Sequence, residues 1–505
     1  MKPSVPAQND KTKGSYFLTI DQGTSGTKAL LFTRDGKLLH RLDIAHQQFY
    51  PQPGWVEHDP EEIFQNCVTA MNQVMKKAGI TSKDIICISI SNQRETTIVW
   101  ERSTGRPIMN AIVWQCNRAD KQCRRIAGAG KSSLVKEKSG LILSPYFAAA
   151  KAQWIVENVP GASEKLQCGE LLFGTMDSYL IWHLTNGKMH ATDYSNASRT
   201  QLYNIHELKW DEELISLFGL RLDMMPEVRS SDDFFGTTKP GLFETEIPIA
   251  GVLGDSHAAF FAQCCTSVGM AKATYGTGSS VMMNAGNQSV ISSNKVVSSI
   301  GYAVNNEVTY VLEGNINCTG ATIKWLVDDL ELIASSKEAG QLAASVESND
   351  GVYLVPAFVG LSAPYWNSDV RAVISNLSRG SKKAHVVRAA EESISYQIQD
   401  VIEAMREDSC ISLQELRVDG GPTRDQFLMQ FQADISRVPV VRTSIEELSA
   451  TGAMYMGGLA TQVWNSLEEI EKMREVEQIF QPEKNMQWRE QQYDGWKQAV
   501  AHLLN

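Results

Sequence analysis

Asp21, Thr24, Ser25, Thr27 and Lys28 fall within eight consecutive positions, on a turn that Gly23 and Gly26 open between two short apolar runs, Tyr16 to Ile20 and Ala29 to Phe32. Two glycines, three hydroxyls and an ammonium can aim N–H and O–H donors at one anion, and a phosphate is the obvious candidate. Asp21 would repel a bare phosphate, but it can hold the Mg²⁺ that accompanies a nucleotide, directly or through water. The pairing is half of a phosphoryl-transfer site. A Gly/Ser/Thr turn between strands can equally be a plain hairpin. The stretch from Ala271 to Asn284, AKATYGTGSSVMMN, shifts that balance, because it again sets a strand, a Gly-Thr-Gly turn and a strand in a row. Two such turns roughly 250 residues apart suggest a duplicated domain with a nucleotide between the halves.

A second group of residues suits the acceptor of the phosphoryl group. Ile249 to Gly254 is an apolar run that ends in Asp255, and a carboxylate at such a strand end can take the proton of a substrate hydroxyl. Ile85 to Ile90 reads as a buried strand whose polar exit, Ser91 to Glu95, lies where an α/β sheet holds a ligand. There Arg94 and Glu95 set a fork of donors beside an acceptor, which suits the neighbouring hydroxyls of a polyol. Trp114 and Tyr146 can floor such a pocket. Two other patterns fail on spacing. Residues Gly128 to Ser133 resemble the end of a P-loop, but position 125 is Arg where the pattern requires Gly, and no strand precedes it. Asp255-Ser256-His257 spells the letters of a hydrolase triad, yet three consecutive residues cannot converge as orienter, nucleophile and base. His257 reads as a packing or supporting residue.

The elements that must position these groups alternate between strand and helix. Asp35-Gly36 turns the chain into a third strand, Leu38 to Ala45. Asp59-Pro60-Glu61-Glu62 starts a helix with a cap, a first-turn proline and an acidic first turn; Ile63, Cys67, Met71, Val74 and Met75 form its apolar face and Gly79 ends it. Thr97 to Glu101 and Ala111 to Trp114 read as strands, Leu171 to Leu184 as one helix, residues 190–200 (HATDYSNASRT) as a polar loop, and Pro226 to Pro248 as a surface excursion. Ala258 to Cys265 is a small-residue helix near which the domain boundary falls. In the second half a strand from Val308 to Leu312, a helix from Thr319 to Leu332 and a long amphipathic helix from Ala384 to Met405 follow. Glu415 to Val418 then runs into Asp419-Gly420-Gly421, a turn opening a helix, where backbone N–H groups can meet a nucleotide. Val438 to Val441 and a helix over 449–461 close the sheet, and acidic and aromatic helices cap it. The expected division is a leader over 1–14, an N-terminal domain over 15–264 and a C-terminal domain over 265–505.

Composition narrows the class. The 505 residues suffice for two or more domains. A net charge of -11, from 47 basic and 58 acidic residues, leaves no electrostatic footprint for nucleic acid. No apolar run nears the ~20 residues of a membrane span, and MKPSVPAQNDKTKG lacks the apolar core of a signal peptide. Nine cysteines, odd in number and without CxxC spacing, read as reduced buried thiols. The expectation is a soluble cytoplasmic protein with a small-molecule partner, no nucleic acid and no membrane insertion.

Over nearly its whole length the chain resembles the FGGY family of carbohydrate kinases, and within it the members that phosphorylate glycerol. The matching runs are IDQGT, PGWVEHDP, SNQRETTIVWE, NAIVWQC, GELLFGT, TDYSNASRT, ATYGTG, VPAFVG with APYW, and LRVDGG. The resemblance implies an α/β fold of two actin-like (ribonuclease H-like) ATPase domains flanking a cleft for ATP and Mg²⁺. It implies transfer of the γ-phosphoryl to a terminal hydroxyl of a small polyol, glycerol to glycerol 3-phosphate in the first place. Carried over by matching motif, Arg94, Glu95, Tyr146 and Asp255 hold the polyol, Trp114 lies against its carbon face, and Asp255 is the general base. Asp21, with Asp255, serves Mg²⁺; Thr24, Ser25, Gly276, Thr277, Gly320, Gly420 and Gly421 bind the nucleotide. Family members form homodimers and homotetramers, so either state is open here.

The chain also departs from the glycerol-phosphorylating pattern. Ser256 and His257 stand where Gln-Gln is usual after the aspartate, and Ser279-Ser280 where Cys-Phe is usual after the Gly-Thr-Gly turn. Ser256 shortens a side chain in the substrate pocket and Ser280 removes an aromatic wall, so a four- or five-carbon polyol or ketose is the alternative acceptor. Lys28 replaces an arginine and keeps the charge without the bidentate fork. Lys324 and Asp425 stand where Gln and Asn are common near the adenine. Residues 237–248 lack the Gly-rich basic loop through which bacterial relatives bind fructose 1,6-bisphosphate, so that control is expected to be absent. A different class, a non-metabolic actin-like ATPase, would share the two phosphate turns but would have no use for SNQRETT and Asp255.

Overall fold

The computed structural model describes residues 14–293 and 295–504. The leader expected over 1–14 thus lies, but for Gly14, outside the described residues. Tyr16–Gln22 and Gly26–Thr33 pair as an antiparallel hairpin, and Leu38–Ala45 adds the third strand. Phe17, Leu18 and Ile20 are all fully buried, because this hairpin is covered on both faces, and its first strand therefore reads as a continuous apolar run. Ile85–Asn92 lies parallel to Tyr16–Gln22, Pro248–Gly254 parallel to Ile85–Asn92, and Phe234–Thr237 closes the edge antiparallel. The covering helix Pro60–Ala78 forms as its sequence dictates. The Asp59 side chain accepts from the N–H groups of Glu61 and Glu62, Ile63, Cys67, Met71 and Val74 are buried, and Gly79 ends the helix at φ 68°.

The second sheet repeats the plan. Met270–Tyr275 and Ser279–Gly286 form its hairpin, Glu307–Ile316 the third strand and Val297–Val304 an added fourth. On the other side Glu415–Asp419 and Val440–Thr443 run parallel to the first hairpin strand, and Val476–Phe480 closes the edge antiparallel. Apart from the added strand, order and direction are the same in the two sheets. Each sheet with its helices is an actin-like α/β unit, and the similarity of the two turns reflects a similarity of whole sheets.

The halves meet where the helix Asp255–Ala262 crosses the helix Leu448–Ala460. A Cβ at Gly452 would stand 1.9 Å from the Ala258 carbonyl, and one at Gly457 2.1 Å from Ser89 Oγ. Only glycine allows this approach. It brings Asp255 and Glu447, at the starts of the two helices, to one side of the seam, where Ser449 Oγ donates to the Asp255 carbonyl at 3.0 Å.

Four stretches differ from the sequence reading. Leu171 to Leu184 is a strand, Leu171–Gly174, paired with Ile98–Glu101, followed by the helix Met176–Leu184. The run is apolar throughout, so periodicity does not separate the two, and Gly174 breaks it because a Cβ there would meet Ser178 at 2.5 Å. The polar segment 190–200 is not a surface loop. Asp193, Ser195, Asn196 and Arg199 are 0–1 % exposed, and Asp193 accepts from Ser195 N, Asn196 N, Ser195 Oγ and Ser231 Oγ. Its polarity is consumed internally, as buried polar groups require. Pro226 to Pro248 contributes Glu227–Arg229, paired with Ala191–Asp193, and the edge strand Phe234–Thr237, with Phe235 and Ile247 in the core. Val476–Phe480 is a strand with an exposed outer face, between the helices expected to cap the C-terminus.

All nine cysteines are free thiols, seven of them buried and Cys168 and Cys410 exposed. No helix among the described residues is long and apolar enough to cross a membrane.

Candidate active site

A cavity of about 600 Å³ opens between the two sheets, at the carboxyl ends of their parallel strands. Asp21, Thr24, Arg94, Glu95, Trp114, Tyr146, Asp255 and Ser256 line it from the first half, and Gly276 and Ser280 from the second. The remaining nucleotide candidates lie off its wall. A Cβ at Gly320 would stand 2.4 Å from the Gly276 carbonyl, and one at Gly420, whose φ is 99°, would stand 1.9 Å from the Tyr275 carbonyl, so both glycines back the second turn. The Thr277 carbonyl accepts from the N–H groups of Thr319 and Ala321; Ser25 and Gly421 are exposed. Lys324 points into solvent and pairs with Asp328 one turn along its helix. Asp425 caps the helix Gln426–Ser436 by accepting from Leu428 N at 3.1 Å, and packs against Gly340.

Beside Asp255 the cavity is backed by a buried ionic box. Arg94 donates through both terminal nitrogens to Glu313, at 3.1 and 3.0 Å. Arg199 Nη1 lies 2.8 Å from the same carboxylate, and Arg199 Nε donates to Glu95 Oε1 at 2.6 Å. All four side chains are at most 5 % exposed. Burial alone would raise the Glu313 pKa, but Arg199 and Arg94 outweigh it and hold the carboxyl well below the usual range. His257 completes the box: Nδ1 lies 3.3 Å from Arg94 Nη1 and Nε2 3.3 Å from Ser299 Oγ. Its burial, with the Arg94 charge beside it, holds the imidazole neutral, so Nδ1 accepts and Nε2 donates. His257 supports Arg94, as its sequence context suggested.

Arg94 Nε faces the other way, 3.3 Å from Asp255 Oδ1. That same oxygen accepts from Ser256 N at 2.6 Å, and the carboxylate is 36 % exposed to the cavity. Trp114 Nε1 donates to Thr24 Oγ1 at 2.9 Å, which leaves the Thr24 proton free to be given elsewhere, and the Trp114 ring meets Tyr146 edge-on at 5.6 Å. The indole thereby ties the turn over residues 23–26 to Tyr146.

Asp21 is 7 % exposed, and burial pushes its pKa up to about 6 against the pull of Lys28. Lys28 Nζ lies 3.5 Å from Asp21 and 2.8 Å from Glu447, which also takes Arg41. Burial would lower the Lys28 pKa, but the two carboxylates raise it overall, so the ammonium stays charged. The second turn is furnished alike: Lys272 and Thr274 line the cavity, and Thr274 Oγ1 donates to Asp419 Oδ2 at 3.2 Å. Sequence reasoning missed Arg199, Glu313, Glu447 and Lys272. Arg199 lies in the run TDYSNASRT, but nothing in a polar run marks one arginine as buried.

The N-terminal domain model of the FGGY family of carbohydrate kinases matches residues 16–262 and the C-terminal domain model residues 271–461. The chain belongs to the FGGY family of carbohydrate kinases. As an FGGY kinase it is an ATP-dependent phosphotransferase. It is 50 % identical over 489 residues to the glycerol kinase of Caldanaerobacter subterraneus subsp. tengcongensis, covering 97 % of this chain and 98 % of that one. To glycerol kinase 1 of Thermotoga maritima it is 50 % identical, over 97 % and 99 %. The crystal structure of Plasmodium falciparum glycerol kinase with ADP superposes with a TM-score of 0.93 at 34 % identity, over 97 % and 98 % of the two chains. A xylulose kinase from Lactobacillus acidophilus, at TM-score 0.86 and 20 % identity, shares the FGGY fold.

Proposed function

We propose that this FGGY kinase transfers the γ-phosphoryl group of Mg²⁺·ATP to a terminal hydroxyl of glycerol, giving glycerol 3-phosphate. The observation that carries the reading is the meeting, in one cavity, of Asp255 braced by Arg94 with both phosphate turns. The 50 % identity to proteins named glycerol kinase, over almost the full length of both chains, supports glycerol as the acceptor.

In this reading Arg94 and Glu95 bind the polyol hydroxyls. Ser280 Oγ, buried and without a hydrogen-bond partner among the described residues, suits the same task. Trp114 takes the carbon face and Tyr146 closes the floor. With Asp255 Oδ1 engaged by Ser256 N and Arg94, Oδ2 has the capacity to accept the proton of the attacking hydroxyl. Thr24, Ser25, Gly276, Thr277, Gly320, Gly420 and Gly421 hold the phosphates and ribose, with Lys324 and Asp425 toward the base.

The residues fit Mg²⁺. Among the described residues no group of three His, Cys, Asp or Glu could hold a metal alone, and Mg²⁺ at such sites takes one or two carboxylates, here Asp21 and Asp255, plus phosphate oxygens and water. Bound there, the ion would neutralise charge on the transferring group. The seven buried thiols support a reducing, cytoplasmic setting.

Ser256 and Ser280 both line the acceptor end, so the alternative of a longer polyol or ketose is tested in the same assay. ADP release is followed with Mg²⁺·ATP and glycerol, erythritol, xylitol, ribitol, dihydroxyacetone, ribulose or xylulose. Glycerol is expected to give the highest kcat/KM; a longer acceptor ahead by tenfold would overturn it. Hydrolysis of ATP independent of any polyol would instead indicate an actin-like ATPase.

A further inference from the structure

Lys151 is the fourth residue of the helix Ala148–Asn158 and is fully buried. A cation is badly placed there. The first turn of a helix carries positive partial charge, and this helix has neither a side-chain cap nor an acidic first turn to offset it. No carboxylate lies within ion-pair distance of Lys151 among the described residues, and the helix around it, Ala148, Ala149, Ala150 and Ala152, is apolar and buried. An apolar side chain of similar volume would suit this position better if packing alone were at stake.

The ammonium has three protons and directs them at three main-chain carbonyls, those of Glu95 at 3.3 Å, Phe147 at 3.2 Å and Tyr146, the nearest of the three. Glu95 and Tyr146 line the acceptor end of the cavity, and the Phe147 ring lies under the Arg199 guanidinium at 5.1 Å. Glu95 also sits at φ 60°, in the left-handed region that a non-glycine residue occupies only when its surroundings impose it. Its carbonyl is held there by Lys151 and by Thr97 Oγ1, at 3.0 Å. The two segments that build the acceptor floor, 94–97 and 144–148, are thus tied by one side chain that touches no substrate position.

We infer that Lys151 is a positioning residue for the acceptor, fixing the Glu95 and Tyr146 backbones so that their side chains meet the polyol. The inference rests on the proposed phosphorylation of a polyol. Burial pushes the Lys151 pKa down to about 7, with the Glu95 carboxylate pulling it back up; the other titratable groups facing it are the thiols of Cys116 and Cys123. Its charge is therefore lost as pH rises above neutrality.

The test is steady-state kinetics of the full-length enzyme with glycerol and Mg²⁺·ATP. Lys151→Met keeps the apolar stem and removes the three donors. The expected result is a rise in KM for glycerol of about tenfold or more, with KM for ATP within about twofold of the unaltered enzyme. Glycerol and ATP KM values that rise together, or a glycerol KM within twofold, would overturn the inference. If Lys151→Met does not fold, the unaltered enzyme decides: between pH 6 and 9 its glycerol KM should climb while its ATP KM does not, and a glycerol KM that stays level overturns the inference. Absence of glycerol turnover by the unaltered enzyme defeats the proposed function and takes this inference with it. Turnover by the unaltered enzyme with an unselective Lys151→Met defeats the inference alone.

Discussion

Arg94 and Glu313, 219 positions apart in the chain, share a two-pronged ion pair, with Nη1 3.1 Å from Oε2 and Nη2 3.0 Å from Oε1. Arg94 leaves the first sheet at its carboxyl edge, whereas Glu313 sits on Glu307–Ile316 of the second, so the pair crosses the seam between the halves. With Arg199 and Glu95 it makes two guanidiniums and two carboxylates, a set of nearly fully buried side chains whose formal charges cancel. The pairing turns Arg94 so that Nε, and not its terminal nitrogens, faces Asp255.

Removing one member of that set leaves buried charge uncompensated. Glu313→Gln is expected to cost roughly 3 kcal/mol of stability, because breaking a buried pair exposes the partner to the full desolvation penalty. A lower Tm should come with a higher KM for the polyol and an ATP affinity close to that of the unaltered enzyme. Calorimetric unfolding and steady-state kinetics check both halves; an unchanged Tm would mean that Arg94 and Arg199 find other partners.

Asp255→Asn preserves shape and hydrogen bonding to Ser256 N but cannot take a proton. Turnover is expected to fall by roughly 10²-fold or more, with Mg²⁺·ADP binding within a few-fold. Retained turnover would remove Asp255 from the role of base.

How much of this was legible depends on whether a residue's neighbours are near in sequence. The Asp59 cap, the Ile63–Val74 stripe and both glycine turns carry their signals within a few positions, and the structure has them where the sequence puts them. The motif residues Asp21, Thr24, Arg94, Glu95, Trp114, Tyr146 and Asp255 share one cavity for the same reason, since each closes a strand or a turn. Glu313 has no such signature. It is one of two acids on its strand, and its meaning comes from two arginines more than 100 positions away. Segment 190–200 misleads in the opposite sense: serine, threonine and asparagine look like solvent-facing residues until their partners, Asn92, Ser231 and Gly254, are brought against them by the sheet. Lys324 and Asp425 occupy the positions that the family motif assigns to the base, yet one pairs with Asp328 and the other caps a helix.

Lys28 stands between Asp21 and Glu447, and its loss would leave two carboxylates without their shared ammonium beside the turn over residues 23–26. Lys28→Met is expected to weaken Mg²⁺·ADP binding about tenfold at low salt and less at high salt, because the side chain is one-third exposed and its field is screened. Lys28→Arg should restore most of the affinity. Titration calorimetry at two ionic strengths separates this from a folding defect, which salt would not relieve in the same way.

Residues 237–248 join two strands at the edge of the first sheet and carry Lys239 as their one basic residue. A sugar bisphosphate has little to bind there. Titration with fructose 1,6-bisphosphate at saturating glycerol is expected to leave the rate unchanged, and inhibition would point to another anion site.

Ser256 and Ser280 both line the cavity. Ser280 pairs across the second sheet with Thr274 and Asn315, and its Oγ is buried, without a hydrogen-bond partner among the described residues, beside the cavity that Asn315 also lines. A phenylalanine at 280 would fill that space and present an apolar wall, and a glutamine at 256 would reach where the serine stops. The double variant Ser256→Gln, Ser280→Phe is therefore expected to lower kcat/KM for four- and five-carbon polyols relative to glycerol by about tenfold, the scale on which a pocket discriminates by one or two carbon units. Both ratios come from one assay on one preparation, so a general loss of activity cancels. If the ratio does not move, the two serines do not set the size of the acceptor, and the boundary of the pocket must lie with Trp114 and Tyr146, whose edge-on contact closes the floor on the other side.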